Sequence, residues 1–116
     1  MIAIIPARGG SKGLPRKNTK LLGGLPLISH TIKVALESNL VDRVIVSTED
    51  REISSIAKKF GAEVPFMRPL NLAEDTSMVM DTYLHAVDWV VKKDAKPVES
   101  FVALLPIAIS FLKPYQ

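Results

Sequence analysis

The chain opens with IAIIPARGGSKGLPRKN, residues 2–18, an apolar run followed by a basic, glycine-rich segment. Its apolar start, Ile2 to Pro6, is too short for a helix and predicts a fully buried strand. The strand leads into a loop with three glycines and four cations, and Pro15 stiffens the end of that loop. Glycines let the backbone approach a ligand, successive N–H groups can surround phosphate oxygens, and lysine and arginine add positive charge. The stretch therefore predicts a polyphosphate site.

The spacing of these glycines does not match the common phosphate motifs. Gly9 and Gly10 are followed by Ser11-Lys12-Gly13, which fits neither G-x-x-x-x-G-K-[ST] nor G-x-G-x-x-G. Spacing alone leaves two alternatives open, a phosphate-binding loop and a plain basic surface loop.

Composition limits the class of protein. A chain of 116 residues is one domain at most, and its 47% hydrophobic and 23% charged residues suit a globular core. It has no cysteine, which excludes disulfides and thiolate metal sites and fits a reducing cytoplasm. No signal peptide and no membrane span are expected, because the first apolar run stops at Pro6 and no later one is long enough. The predicted location is the cytoplasm.

Charge is distributed unevenly along the chain. Residues 1–36 hold six cations and no acid, whereas the remaining residues hold nine cations and twelve acids. A positive field at the opening loop would attract a polyanion. A nucleic-acid partner is not expected, because such proteins place aromatic residues among their cations and the first aromatic residue here is Phe60.

The rest of the chain alternates helix and strand patterns. The expected elements are a helix over roughly 26–38, a strand at 43–48, a helix between a cap at Asp50 and a stop at Gly61, a short strand at 62–65, a helix of about four turns from Ser77, and a strand at 101–105. This order predicts an α/β fold with a mainly parallel sheet and helices on both faces.

The last of these helices raises the question of a metal site. Asp81, His85 and Asp88 share one helical face at a spacing that could hold a metal, but a solvated acidic face is the favoured interpretation. Tyr83 and Trp89 are expected to pack in the core.

Residues 4–18 resemble the amino-terminal signature of the acylneuraminate cytidylyltransferases, the CMP-sialic acid synthetases. These enzymes transfer CMP from CTP to an acidic nine-carbon sugar and release pyrophosphate. The related CMP-KDO synthetases open similarly but lack the run from Gly9 to Gly13. The resemblance implies a Rossmann-like, three-layer domain of the nucleotide-diphospho-sugar transferase type, here truncated after about the fourth strand. It covers residues 1–105 as the nucleotide-binding half and leaves 106–116 as a divergent apolar tail.

The resemblance also assigns roles to individual residues. Nucleotide binding falls to Arg8, Gly9, Gly10, Ser11, Lys12, Lys17 and Asn18, with Arg8 and Lys17 also catalytic; substrate binding falls to Arg68 and Ser77. An alternative for Arg68 is a purely structural salt bridge to Glu74 or Asp75.

The match to the family pattern ends near residue 105. Leu105 stands where the family has a glutamine that helps to read cytosine or the sugar, and hydroxyl residues that follow it become apolar. The family's later half supplies the aspartates for Mg²⁺ and the dimerisation element of a typical homodimer. Mg²⁺ is therefore expected for the family but without ligands in these 116 residues.

Two functions consequently stay open. The chain is expected to be either a cytidylyltransferase for a sialic-acid-like sugar or a catalytically incomplete, nucleotide-binding fragment or remnant of one. Alone, the 116-residue polypeptide is expected to be inactive. The sequence does not distinguish N-acetylneuraminate, legionaminate and pseudaminate as the sugar.

Overall fold

The computed structural model describes residues 1–10, 17–74 and 79–105. Its strands and helices, in chain order, are β1 (Ile2–Pro6), β2 (Leu21–Leu22), β3 (Leu25–Pro26), α1 (Leu27–Glu37), β4 (Arg43–Ser47), α2 (Arg51–Lys59), α3 (Val79–Asp94) and β5 (Phe101–Ala103). Two short 3₁₀ turns lie at Lys17–Thr19 and Leu70–Leu72.

The opening strand β1 is the centre of the main sheet. The strand order is β4-β1-β5, and both neighbours run parallel to β1. Ile2 pairs with Arg43 at one end of the β1–β4 ladder, and Pro6 pairs with Ser47 at the other. A strand flanked on both edges and covered on both faces has to be apolar throughout, which explains the continuous run in the sequence.

The two faces of β1 pack against different helices. Ala3 and Ile5 belong to one buried cluster, together with Ile28 and Ile32 of α1 and Ile53 of α2. Ile4 points the other way and belongs to a second cluster, with Tyr83 and Ala86 of α3. The helices thus form layers on both sides of a parallel sheet, and the predicted three-layer α/β fold is confirmed.

Local signals at the ends of α2 act as the sequence predicts. The Asp50 carboxylate accepts a hydrogen bond from the Ile53 backbone N–H at 2.9 Å, which caps the helix. Gly61 follows the helix with φ +102°, a backbone angle that side chains rarely adopt.

The predicted strand at 62–65 is wrong. The backbone of Glu63 forms a single parallel bridge to Ile45, with hydrogen bonds to Val44 and Val46. Pro65 has no N–H to extend the ladder, and the chain leaves the sheet instead. The Arg43 guanidinium also donates to both oxygens of the Glu63 carboxylate, with N···O distances of 3.0 and 2.9 Å.

The sequence prediction also missed a small hairpin before α1. Strands β2 and β3 pair antiparallel around Gly23 and Gly24, whose φ angles are +61° and +83°. The His30 Nε2 atom lies 2.6 Å from the Leu22 carbonyl oxygen, so α1 is tied to this hairpin.

Within the described part of the chain, no helix has the length and apolarity needed to cross a membrane.

Candidate nucleotide site

The candidate site lies at the carboxyl ends of β1 and β4. The Ala7 backbone N–H donates to the Ser47 carbonyl at 2.9 Å, which continues the ladder one residue past β1. The next residues, Arg8 on one strand and Thr48 and Glu49 on the other, therefore emerge side by side. In open parallel sheets, ligands gather at this edge.

Arg8 begins the glycine loop, and Asn18 closes it. The Asn18 side-chain amide donates to the Arg8 carbonyl at 3.0 Å, and Asn18 is only 2% exposed. Its Oδ1 atom is buried and has no hydrogen-bond partner among the residues that the structure describes. The Arg8 guanidinium reaches the Ala73 carbonyl at 3.2 Å. The Asn18 side chain therefore holds the two ends of the loop, residues 8 and 18, together.

The first amide of the glycine loop binds a carboxylate. The Gly9 N–H lies 3.1 and 3.0 Å from the two carboxylate oxygens of Glu49. Gly9 is buried, whereas Gly10 is exposed. A Cβ built on Gly10 would meet no atom of residues 1–10, 17–74 or 79–105 within 4 Å, so the space on that side of Gly10 is open within the described structure.

Arg68 is buried beneath the same edge, with an exposed fraction of 4%. Its Nε donates to the Ser47 hydroxyl at 3.2 Å and its second terminal nitrogen to the Ser47 carbonyl at 2.5 Å. The other terminal nitrogen donates to the Leu72 carbonyl at 3.4 Å, and the Arg68 backbone N–H donates to the Thr48 backbone carbonyl at 2.8 Å. These bonds join the end of β4 to the segment that precedes α3.

Within the described part of the chain, the charged side chains of Arg8, Glu49 and Arg68 interact at this edge of the sheet. Burial lowers the pKa of Arg68 to about 10, the negative charge of Glu49 opposes that shift, and the positive charge of Arg8 adds to it. Arg68 therefore stays charged at neutral pH. Burial also raises the pKa of the Tyr83 hydroxyl, against the opposing effect of nearby Arg68. The edge thus combines two arginines with one carboxylate.

Comparison with known proteins identifies the family. The cytidylyltransferase family model matches residues 2–112. The chain belongs to the cytidylyltransferase family. It is 50% identical to CMP-N,N'-diacetyllegionaminic acid synthase of Legionella pneumophila over 84 residues, which are 72% of this chain and 36% of that one. It is 51% identical to pseudaminic acid cytidylyltransferase of Campylobacter jejuni over 74 residues, 64% of this chain and 32% of that one.

A solved structure agrees with this assignment. CMP:2-keto-3-deoxy-manno-octonic acid synthetase, solved in complex with CTP, superposes with a TM-score of 0.67 at 27% identity. The superposition covers 97% of this chain and 46% of that one. The chain thus spans roughly a third of the curated relatives named above and about half of this solved chain.

The structure brings five of the predicted site residues to one edge of the sheet: Arg8, Gly9, Gly10, Asn18 and Arg68. Lys17 begins the 3₁₀ turn after the loop. Ser11, Lys12 and Ser77 lie outside the described residues. The roles assigned to all of them remain predictions.

Sequence reasoning missed Glu49, although a signal for it existed. Glu49 lies two residues beyond the end of β4, and side chains just past the carboxyl end of a parallel strand face the ligand edge. Its carboxylate contacts the glycine loop, a pairing across 40 positions of sequence that local patterns do not reveal.

The acidic face of α3 does not form a metal site in the structure. No group of three or more His, Cys, Asp or Glu side chains is placed to hold a metal ion among residues 1–10, 17–74 and 79–105. Asp81 and Asp88 are exposed, as a solvated face requires. The His85 ring instead packs edge-on against Phe66, with ring centroids 4.8 Å apart. Tyr83 is buried as expected, whereas Trp89, also expected in the core, is only half-buried beside Phe66.

The open space at Gly10 gives a first test of the site. We expect Gly10→Ala to leave the melting temperature within about 2 °C of the parent, because the added methyl group meets no atom of the described residues. The sequence predicts that a phosphate approaches the loop here, and the methyl group would obstruct it, so CTP affinity should fall roughly tenfold, measured by calorimetry. Ser55→Ala, at an exposed position of α2, is the control that should change neither affinity nor melting temperature. Unchanged CTP binding by Gly10→Ala would place the phosphates elsewhere.

Proposed function

We propose that this chain is the nucleotide-binding part of a cytidylyltransferase that transfers CMP from CTP to a sialic-acid-like nine-carbon sugar. The observation that carries the proposal is the position of the opening signature. Its loop leaves the carboxyl end of the central strand, and two arginines, Arg8 and Arg68, lie at that edge. The family match and the CTP-bound structural relative support the nucleotide assignment.

The reaction is a displacement at the α-phosphorus of CTP. The anomeric hydroxyl oxygen of the sugar forms a bond to that phosphorus and loses its proton to solvent. The bond from the α-phosphorus to the bridging oxygen breaks, and its electron pair leaves with pyrophosphate. The glycine-loop amides and the cations Arg8 and Lys17 are proposed to bind the triphosphate and offset the charge that develops on it.

The described residues do not form a metal site on their own, because no group of three or more His, Cys, Asp or Glu side chains among them is placed to hold a metal ion. Mg²⁺ needs as few as one or two carboxylates when substrate phosphates supply other ligands, and the resemblance assigns those carboxylates to the family's later half. The steps proposed for this chain therefore use its own amides and cations.

The identity of the sugar and the setting are also proposed. The relatives are named for legionaminic and pseudaminic acids, which favours this class of sugar together with N-acetylneuraminate. The proposed location is the cytoplasm, in keeping with a chain that has no cysteine. A homodimer is proposed for the complete enzyme, with no nucleic-acid or membrane partner.

A second candidate function is nucleotide binding without turnover. It is favoured by the extent of the match, since these residues correspond to 36% and 32% of the two curated relatives. Both candidates require CTP binding, and they differ in pyrophosphate release.

CTP binding tests what the two candidates share. We expect CTP to bind weakly, and Arg8→Ala or Lys17→Ala to weaken it by roughly 1–3 kcal/mol, or about 5- to 150-fold, as for a lost hydrogen bond to a charged group. Isothermal titration calorimetry measures this. Lys33→Ala is the matched control, because Lys33 is an exposed cation on α1. Equal affinities in the parent and both loop variants would rule out the assignment of the loop.

A further inference from the structure

The contact between Glu49 and Gly9 has a role that the proposed chemistry does not use. Both carboxylate oxygens of Glu49 lie within 3.1 Å of the Gly9 nitrogen. Because Gly9 is buried, a ligand that arrives from solvent does not reach this amide without displacing Glu49. The amide that would otherwise be the first phosphate donor of the loop is thus already bonded within the protein.

The backbone on either side of Glu49 is fixed. Thr48 is fully buried, and its hydroxyl accepts a hydrogen bond from the Asp50 N–H at 3.1 Å. The Asp50 carboxylate in turn caps α2 through Ile53. Glu49 therefore projects from a short, well-anchored connection, and its carboxylate can hold the loop in a defined position.

The charge of Glu49 has the opposite sign to the one that a triphosphate requires. A carboxylate at a polyanion site repels the ligand, so on charge alone its removal would strengthen CTP binding. Glu49 also lies close enough to Arg68 to oppose the lowering of its pKa. A positional role and a purely electrostatic one therefore predict opposite changes in affinity.

We propose that Glu49 is a positioning residue for the nucleotide loop. Its carboxylate anchors the Gly9 amide to the end of β4, which fixes the position at which the chain leaves β1 for the loop. Gly9 is then a structural member of the loop rather than a phosphate donor. The effect on CTP rests on the proposed function, whereas the contact with Gly9 can be tested without any ligand.

Three variants of Glu49 distinguish the effect of its side-chain length on CTP affinity from the effect of its charge. Glu49→Gln keeps an acceptor oxygen at the same distance and removes the charge. Glu49→Asp keeps the charge but shortens the side chain by one methylene. Glu49→Ala removes the charge and the acceptor oxygens. We expect calorimetry to show CTP affinity within about threefold of the parent for Glu49→Gln, and roughly tenfold weaker for the other two variants. Equal or tighter binding by Glu49→Ala, or affinities ordered by charge alone, would overturn the proposal.

Amide exchange in the ligand-free chain tests the contact itself. The Gly9 amide proton, followed by NMR, should exchange slowly in the parent and in Glu49→Gln, and roughly tenfold faster in Glu49→Asp and Glu49→Ala. Thermal melting establishes which variants are folded, and the Gln and Asp variants suffice if the Ala variant is not. The same exchange rate in all folded variants would overturn the proposal. If the exchange order holds while the parent binds no CTP, the proposed function fails and the anchoring role stands.

Discussion

Arg68→Ala is expected to lower the free energy of unfolding by about 2–4 kcal/mol, a large share of the stability of a small domain. The Arg68 side chain is buried and donates to the Ser47 hydroxyl, the Ser47 carbonyl and the Leu72 carbonyl. Alanine leaves these buried acceptors with fewer donors and leaves space where the side chain packed. The Ser47 carbonyl retains the Ala7 N–H, which limits the loss. Urea unfolding followed by circular dichroism measures the change.

The control for this prediction is another arginine near the same edge. Arg51 is exposed in the first turn of α2, and Arg51→Ala should change stability by no more than about 0.5 kcal/mol. Arg68→Lys should fall between the parent and Arg68→Ala, because an ammonium group does not reproduce the planar arrangement of guanidinium donors. If Arg68→Ala unfolds at the same urea concentration as the parent while CTP or sugar binding is lost, Arg68 acts mainly on ligand.

The second large effect concerns turnover. With CTP, Mg²⁺ and N-acetylneuraminate, the 116-residue polypeptide is expected to release pyrophosphate at the background rate, against a typical enzyme rate on the order of ten per second. Leu105 lies just beyond β5 and is 48% exposed. It has no side-chain amide, whereas the resemblance places a glutamine at this position. No aspartate or glutamate follows Glu99, so carboxylates for the metal would have to come from elsewhere.

A coupled pyrophosphate assay distinguishes the two candidate functions. Supplying the carboxyl-terminal part of a relative in trans should raise release above background, since the missing groups are then present. Leu105→Gln alone should not, because it restores one substrate contact and no metal ligand. Release on the order of ten per second by the unaided polypeptide would show that these residues suffice for catalysis.

Local sequence patterns were sufficient for most of the secondary structure. The apolar run Ile2–Pro6 is β1, the central strand, because a strand buried on both faces carries no polar alternation. Asp50 and Gly61 mark the ends of α2 through their own backbone chemistry. The positive loop after β1 was likewise visible as a cluster of glycines and cations.

The resemblance of the opening signature identified the family, and with it most of the candidate site residues. This worked because the signature is one continuous segment in which residue types and spacing are specific together. Where the prediction relied on a short pattern, it failed: the segment 62–65 looks like a strand, but the sheet accepts only one bridge from it, at Glu63. The length of a strand depends on the hydrogen bonds that the neighbouring strand can form, and the sequence of the segment does not specify these.

The central strand, the helices and the family could therefore be predicted from local residue patterns and the opening signature. The partners of the charged groups at the site became apparent from the folded chain alone. It placed Glu49 on the Gly9 amide and Arg68 on Ser47, across 40 and 21 positions of sequence. The physical reason is that a hydrogen bond depends on distance and direction in space, and parallel strands bring together residues that are far apart along the chain.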